Sequence, residues 1–179
     1  MMHTDDPLET LIDETGDFWQ VRSTYSAEGF FQIEGDTLLT EALRRWPSND
    51  VASFSFACLL SIVPRLEDCI ATVVEVGHTE DPTRFLVRQH RNENADFRGV
   101  NVRGKAIAEM PLNQRHATLC AIEYDECRRS GRPGFHQIDQ QIDGLHRSYR
   151  RLILPLRDRR GGVAQLYVFS RKLTLPGAA

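Results

Sequence analysis

The chain has 179 residues, 41% of them hydrophobic and 26% charged, so it holds enough apolar material for one globular domain and is neither fibrous nor wholly disordered. Its 22 Lys and Arg against 25 Asp and Glu give a net charge of −3, which argues against a generally basic surface for nucleic acid. The apolar runs are far shorter than the roughly 20 residues that cross a bilayer, and no secretory signal opens the sequence. We therefore expect a cytoplasmic protein that binds neither nucleic acid nor membrane.

The first 35 residues (1–35) are predicted to form an extension to the main domain. Asp6 can cap a short helix whose apolar face comprises Leu8, Leu11 and Ile12, and Gly16 ends it. Residues 1–46 also hold more apolar side chains than a free tail should expose, which leads to the hypothesis that they form a homodimer interface. The apolar residues concerned are Leu8, Leu11, Ile12, Phe18, Trp19, Phe30 and Phe31.

The main domain is expected at residues 36–175 and opens with a second helix. Asp36 can cap this helix, and Pro47 ends it. Its apolar stripe has helical spacing and comprises Leu39, Ala42, Leu43 and Trp46.

A β-branched stretch at residues 70–76 is predicted to form a strand, and residues 84–89 a second strand. Because only a short turn-like segment separates them, they predict an antiparallel hairpin. Residues 92–111 are polar and interrupted by Gly99 and Gly104, so short turns are expected there.

The strongest local signal is a long helix between Asn113, which can cap its start, and Gly131, which suits a left-handed terminator. At about 1.5 Å per residue, this helix is long enough to cross a small sheet. Its inward stripe is predicted to comprise Ala117, Cys120, Ala121, Tyr124 and Cys127.

Two strands are predicted near the end of the chain, at residues 149–156 and 163–172, joined by a turn of acidic residues and glycines. In the first of them, alternation places Leu152 and Leu154 on the core face and Arg151 on an outer, solvated face. The order of elements predicts an α+β fold, in which helices lie across one face of a mostly antiparallel sheet. The chain has neither a dinucleotide-binding glycine motif nor a P-loop.

Several short segments between residues 38 and 171 resemble the PAS sensor family, and in particular the stand-alone PAS-like proteins common in alphaproteobacteria. They are Leu-Arg-Arg-Trp at 43–46, Ile-Val-Pro-Arg-Leu at 62–66, Arg98-Gly99 with Gly104, Arg-Ser-Gly-Arg-Pro at 129–133, and Tyr-Arg-Arg-Leu-Ile-Leu-Pro-Leu at 149–156. The resemblance implies a five-stranded antiparallel sheet crossed by short helices and one long helix, with residues 134–143 as the third strand.

The resemblance also implies a pocket between the sheet and the long helix, which holds a small molecule or is closed. Side chains from two strands and from the helix are the candidates to line it. They are Phe85, Val87, His116, Cys120, Tyr124, Cys127, Leu152 and Leu154.

By this resemblance the chain is a cytoplasmic sensory or regulatory module that binds a small ligand or a protein partner. Its signal would pass by conformational coupling, because a ligand that binds one arrangement of helix and sheet better than another shifts their populations. The chain contains no output enzyme of its own, so its output would pass through a homodimer or a signalling partner.

A metal site or a small α+β enzyme is the alternative. If residues 136–146 were helical, His136, Asp139, Asp143 and His146 would share one face and could hold a metal ion. As an enzyme, the chain would use Asp139 or His146 as a general acid or base. The strand that the resemblance implies at this segment would instead send alternate side chains to opposite faces.

No cofactor is required by the sequence. His116 lies near the capped start of the long helix, whereas haem-binding PAS domains take an axial histidine from the body of this helix, and no reactive-cysteine motif for a flavin is present. The four cysteines show no C-x-x-C spacing, which indicates buried free thiols. They are Cys58, Cys69, Cys120 and Cys127.

Overall fold

Seven strands form one antiparallel sheet, in the order β1-β2-β5-β6-β7-β3-β4, in a computed structural model that describes residues 6–35, 37–44, 46, 69–91 and 100–173. The strands are β1 (Glu9–Thr15), β2 (Phe18–Thr24), β3 (Cys69–Glu75), β4 (Leu86–Arg91), β5 (Gly134–Ile142), β6 (Leu145–Arg157) and β7 (Val163–Lys172). The α-helices in the described part are α1 (Ala27–Glu34), α2 (Leu38–Arg44) and α3 (Gln114–Ser130), and 3₁₀ turns occur at Pro82–Arg84 and Ile107–Glu109.

The predicted fold class is wrong, because the sheet has seven strands rather than five, and the helix predicted near the start of the amino-terminal extension is replaced by two strands. The added strands are β1 and β2, which form a hairpin that pairs with β5 along the edge of the sheet. Helices also lie on both faces of the sheet rather than on one. The boundary at residue 35 between an extension and a main domain stays a prediction.

A two-residue turn at Gly16 and Asp17 joins β1 to β2, and this segment therefore forms a hairpin and not the predicted helix. Gly16 has a φ of +59° at the first turn position, and Thr15 pairs with Phe18 across the turn. This is the position at which a tight hairpin turn requires glycine. In β2, buried and partly exposed side chains then alternate, which is the period of a half-buried strand.

From residue 69 onwards, the predicted strands and the long helix are confirmed in the described part of the chain, except that Arg84 lies in a 3₁₀ turn and β4 begins at Leu86. β3 and β4 form the expected antiparallel hairpin, and β5, β6 and β7 follow the long helix. Asn113 caps α3 by accepting a hydrogen bond from the Arg115 backbone N–H at 2.9 Å, and Gly131 ends it in the left-handed region. The predicted inward stripe of α3 is buried along its whole length.

Two apolar cores lie on opposite faces of the sheet. One packs α1 and α2 against the sheet through Phe30, Leu39 and Ala42, and the other packs α3 through Ala121 and Tyr124. β6 supplies side chains to both cores, because alternate residues of a strand point to opposite faces.

The prediction that Arg151 lies on a solvated face is wrong, because α3 covers that face and Arg151 is 5% exposed. Leu152 and Leu154 are buried as predicted, but in the core beneath α1 and α2. They therefore do not line the space next to α3.

A buried ionic cluster holds α1 on its face of the sheet. Glu34, the last residue of α1, accepts hydrogen bonds from Arg150 at 2.9 Å and from Arg171 at 2.5 and 2.9 Å, and from the Thr37 hydroxyl at 2.6 Å. Burial alone would raise the pKa of Glu34, but these donors together lower it below its ordinary value. Glu34 thus stays charged at neutral pH and ties α1 to β6 and β7.

Several predictions fall on residues outside the described part of the chain. They concern the cap Asp36, the helix end at Pro47, the thiol Cys58, and the segments 62–66 and 98–99 of the resemblance. Within the described part, the other three cysteines, Cys69, Cys120 and Cys127, are buried free thiols, as predicted. No described helix is both long and apolar enough to span a membrane.

Candidate functional site

A cluster of buried polar side chains lies between α3 and the sheet, in a layer that is otherwise apolar. α3 contributes one helical face of it, and β5, β6 and β7 contribute the side chains opposite. We call this group the α3 polar cluster; its members are His116, Cys120, Glu123, Gln140, Tyr149, Arg151 and Ser170.

Arg151 is the centre of the cluster. Its guanidinium donates to the Glu123 carboxylate at 2.5 Å and to the Tyr149 hydroxyl at 3.1 Å. It also reaches Ser170 Oγ at 3.4 Å and Cys120 Sγ at 3.5 Å. The Tyr149 hydroxyl donates in turn to Gln140 at 3.3 Å, so two side chains of β6, Arg151 and Tyr149, together connect α3 with both neighbouring strands.

The charges of Glu123 and Arg151 stabilise each other. The two side chains are only 2% and 7% exposed. Burial by itself would raise the pKa of Glu123, but the adjacent Arg151 guanidinium outweighs it and holds that pKa below the ordinary value. The reciprocal interaction raises the pKa of Arg151 despite its burial, so both groups are charged at neutral pH.

Cys120 and His116 form the end of the cluster nearest the start of α3. Their Sγ and Nε2 atoms are 3.6 Å apart, one helical turn from each other, and the residues are 5% and 8% exposed. Burial would raise the pKa of the Cys120 thiol, but its interactions with His116 and Arg151 bring that pKa below its ordinary value. The Nδ1 atom of His116 is buried without a hydrogen-bond partner in the described part of the chain.

Polar contacts of the amino-terminal hairpin border the cluster on the β2 side. Arg22 of β2 donates to both carboxylate oxygens of Glu126 on α3, at 2.9 and 3.3 Å. Next to it, His136 Nδ1 lies 3.1 Å from Thr24 Oγ1. Burial lowers the pKa of His136 to about 4, so this imidazole is neutral at pH 7. The hairpin therefore attaches to α3 as well as to the sheet.

Little free space remains where α3 packs against the two 3₁₀ turns. Beside the amino-terminal half of α3, a space of about 10 Å³ remains against the 3₁₀ turns, with Ile107, Ala117 and Ala121 among its lining residues. A volume of this size is enough for at most about one water molecule. The described part of the chain thus presents a closed interior at this position.

The structure brings six of the eight predicted pocket residues together on the α3 face. Phe85, Val87, Tyr124 and Cys127 belong to the apolar core there, while His116 and Cys120 belong to the α3 polar cluster. Burial raises the pKa of Cys127 to about 12, which fits an inert core thiol. The other two, Leu152 and Leu154, lie on the opposite face.

The four alternative metal ligands do not converge, because residues 134–142 form a strand and not the helix that a common face required. His136 faces α3, Asp139 lies on the other side of β5, and Asp143 and His146 lie at the turn into β6 and just beyond it. Among the described residues, no three His, Cys, Asp or Glu side chains are arranged to hold a metal ion.

Sequence reasoning missed Glu123 and the role of Arg151. The spacing could have revealed Glu123, because His116, Cys120, Glu123 and Cys127 follow one another at +4, +3 and +4 along a single helical face. Arg151 alternates with Tyr149 and Ile153, which indicates a buried face once helices cover both sides of the sheet. The assumption that one face of the sheet is exposed to solvent led to the wrong prediction for Arg151.

No protein-family model matches the chain, and no curated protein matches it. Among solved structures, it is similar to the crystal structure of a sensory box sensor histidine kinase from Vibrio cholerae. The two chains are 15% identical, with a TM-score of 0.44, and the match covers 66% of this chain and 89% of the other. At this level of likeness, the function has to be argued from the site itself.

Proposed function

We propose that this chain is a PAS-like sensory and regulatory module, which responds to a protein partner by a displacement of α3 against the sheet and catalyses no reaction itself. The observation that carries the proposal is the α3 polar cluster, which ties a long helix to the sheet through a buried ion pair. The order of elements from β3 to β7, on which much of the resemblance to the PAS family rests, supports it.

A buried ion pair is a poor source of stability but defines one arrangement of its two elements. Removing both charges from water costs several kcal/mol per ion, and this is offset only when the geometry is good and the remaining donors are satisfied. A small displacement of α3 would break the bonds between Arg151 and Glu123 at once. Such an interface favours discrete positions of the helix over gradual movement, which is the property that a switching element needs.

The closed interior favours a protein partner over a small molecule as the input. A ligand beside the amino-terminal half of α3 would first have to separate the helix from the 3₁₀ turns, where about 10 Å³ of free space remains. A partner at the surface needs no such opening. Cytoplasmic location and self-association through residues 1–46 stay predictions.

Native-state hydrogen exchange at increasing denaturant tests whether α3 moves as a unit. We expect the α3 amides to exchange through an opening with a lower free energy than global unfolding, as mobile elements do. In the double variant Glu123→Leu with Arg151→Met, an apolar contact replaces the ion pair, so we expect slower exchange of α3 at similar global stability. If α3 in the natural sequence exchanges only by global unfolding, the proposal is wrong.

Native mass spectrometry of the untagged protein tests the nature of the input. We expect a mass that corresponds to the polypeptide alone, with a denatured sample as the control. A retained non-covalent mass that disappears on denaturation would show an internal ligand and would contradict the choice of a protein partner.

A further inference from the structure

The edge of the sheet at β1 is open among the described strands. β1 pairs with β2 and is the last strand in the order. Because the turn between β1 and β2 has two residues, Thr15 is a residue whose backbone bonds β2. Along an antiparallel pair, such residues alternate with residues whose N–H and C=O groups point away from the partner strand. The backbone N–H and C=O groups of Thr10, Ile12 and Glu14 therefore point away from β2, where another strand could bind them.

Exposed apolar side chains accompany this edge. Leu8, just before β1, is 68% exposed, and Ile12 and Leu11, on opposite faces of the hairpin, are 70% and 45% exposed. Edge strands are usually protected by charges, proline or bulges against pairing with other chains. Large apolar side chains along an open edge indicate a surface that another chain covers.

All the charged side chains of this edge are acidic. Residues 6–21 contain five carboxylates and no Lys, Arg or His. Asp13 pairs with Arg115 of α3, and the hydrogen bond from Arg115 lowers the pKa of Asp13. The other four carboxylates form no ion pair with the described part of the chain; they are Asp6, Glu9, Glu14 and Asp17.

An acidic cleft lies at the end of β1. It has a volume of about 560 Å³ and is open to solvent, between the turn after β1 and the turn after β5. Glu14, Asp17 and Asp143 line it together with Trp19. Carboxylates and an aromatic ring together suit a guanidinium or ammonium group, through charge and through attraction to the ring face.

We propose that β1 docks an extended segment of a partner protein, in which Lys or Arg alternates with apolar residues, as an additional strand of the sheet. The backbone of the segment would bind the outward groups of Ile12 and its alternate neighbours, and its apolar side chains would cover Leu8 and Ile12. A basic side chain at the end of the segment, beyond the residues that pair with β1, would enter the acidic cleft next to the turn. A second copy of this chain fits less well, because its own β1 would bring equally acidic residues to the same edge. The inference rests on the proposed role as a module that responds to a protein partner.

Fluorescence anisotropy with a labelled nine-residue peptide of alternating Lys and Val tests the proposal. We expect this peptide to bind, with an affinity that falls as salt is added, and the matched peptide of alternating Glu and Val not to bind. Ile12→Pro removes an outward N–H group without removing a ladder bond to β2, and we expect at least tenfold weaker binding. Asp17→Asn with Asp143→Asn should weaken binding and reduce its salt dependence.

Matched controls separate this edge from the rest of the surface. Ile122→Lys changes a 43% exposed apolar residue on α3, and Glu28→Gln changes an exposed carboxylate on α1, so both should bind the Lys peptide as the natural sequence does. Circular dichroism checks the fold of each variant. If Ile12→Pro does not fold, Ile12→Lys keeps the backbone and should still weaken binding, because it removes the apolar contact and introduces a charge that repels the peptide.

Two outcomes would overturn the proposal. One is equal binding of the Lys and Glu peptides, or unchanged binding of the Lys peptide to the edge and cleft variants. The other is a dimer in sedimentation experiments that the Ile12 variant converts to a monomer, because a second copy would then occupy the edge. Both are distinct from failure of the proposed function, which depends on hydrogen exchange of α3.

Discussion

Glu123 and Glu126 lie three residues apart on α3 and each pairs with an arginine, but their surroundings differ. The Glu123 side chain is 2% exposed, whereas the Glu126 side chain is 51% exposed. Glu123→Gln leaves Arg151 as an uncompensated buried charge, so we expect a loss of about 3–5 kcal/mol in the free energy of unfolding. Glu126→Gln takes a half-exposed carboxylate from Arg22, whose side chain is 6% exposed, so we expect a smaller loss of about 1–2 kcal/mol. Urea unfolding of both variants measures the difference, and equal losses would contradict the special position of Glu123.

His136 makes the stability of the fold depend on pH. In the folded chain burial lowers its pKa to about 4, against an ordinary value of 6.5. Between these two pH values the unfolded chain binds a proton that the folded chain does not, so stability is fully present above pH 6.5 and falls as the pH drops towards 4. A shift of this size corresponds to about 3 kcal/mol.

His136→Gln should reduce the slope of stability against pH in this window, measured by urea unfolding at pH 7, 5.5 and 4. Part of the slope should remain, because burial also lowers the pKa of His90 to about 4. An unchanged slope in His136→Gln would contradict the assigned burial.

At the scale of single elements, the turn between β5 and β6 depends on backbone conformations that favour particular residues. Asp143 and Gly144 have φ values of +51° and +78°, and nothing lies within 4 Å of the position that a Cβ atom on Gly144 would take. Gly144→Ala therefore introduces only backbone strain, and we expect a loss of about 1–2 kcal/mol in thermal or urea unfolding. Gly162 is the matched control, since its φ lies outside the left-handed region and a Cβ there would meet Asp158 at 3.8 Å. Comparable losses in the two alanine variants would mean that the turn does not impose this conformation.

The elements from residue 69 onwards could be predicted because their signals are local. The cap at Asn113, the terminator at Gly131 and the β-branched stretches each determine their own segment. The front of the chain carried two competing signals: the apolar spacing of Leu8, Leu11 and Ile12 indicated a helix, and the Gly16-Asp17 turn indicated a hairpin. Pairing of β2 with β5, more than 100 residues away, favours the hairpin, and no short-range pattern contains that contact.

Part of the candidate site was predictable because it too depends on local signals. The buried stripe of α3 and its cysteines followed from helical periodicity. The pairing of Arg151 with Glu123 did not follow, because it depends on which face of β6 the helix covers and on a helix on the other side as well. Contacts between layers are a property of the assembled fold.

For the molecule as a whole, the strand order predicts a gradient of hydrogen-exchange protection. β6 and β7 each have neighbours on both sides and helices over both faces, so we expect their amides to exchange most slowly. Among the described strands, β1 has one neighbour, and it has exposed apolar residues, so its outward amides should exchange fastest. Mass spectrometry of peptic fragments measures this order, and protection of β1 equal to that of β6 would mean that another strand or a second copy covers the edge.

Arg150 and Arg151 are consecutive residues of β6, yet Arg150 holds α1 on one face and Arg151 holds α3 on the other. One inserted or deleted residue between Leu145 and Arg150 would turn every following side chain of the strand to the opposite face unless a bulge absorbed it. Each arginine would then leave its glutamate, and Leu152 and Ile153 would exchange cores. Changes in length are therefore far better tolerated in the turns at either end of β6 than within it. The contacts of both helices with the sheet therefore depend on the residue spacing along this one strand.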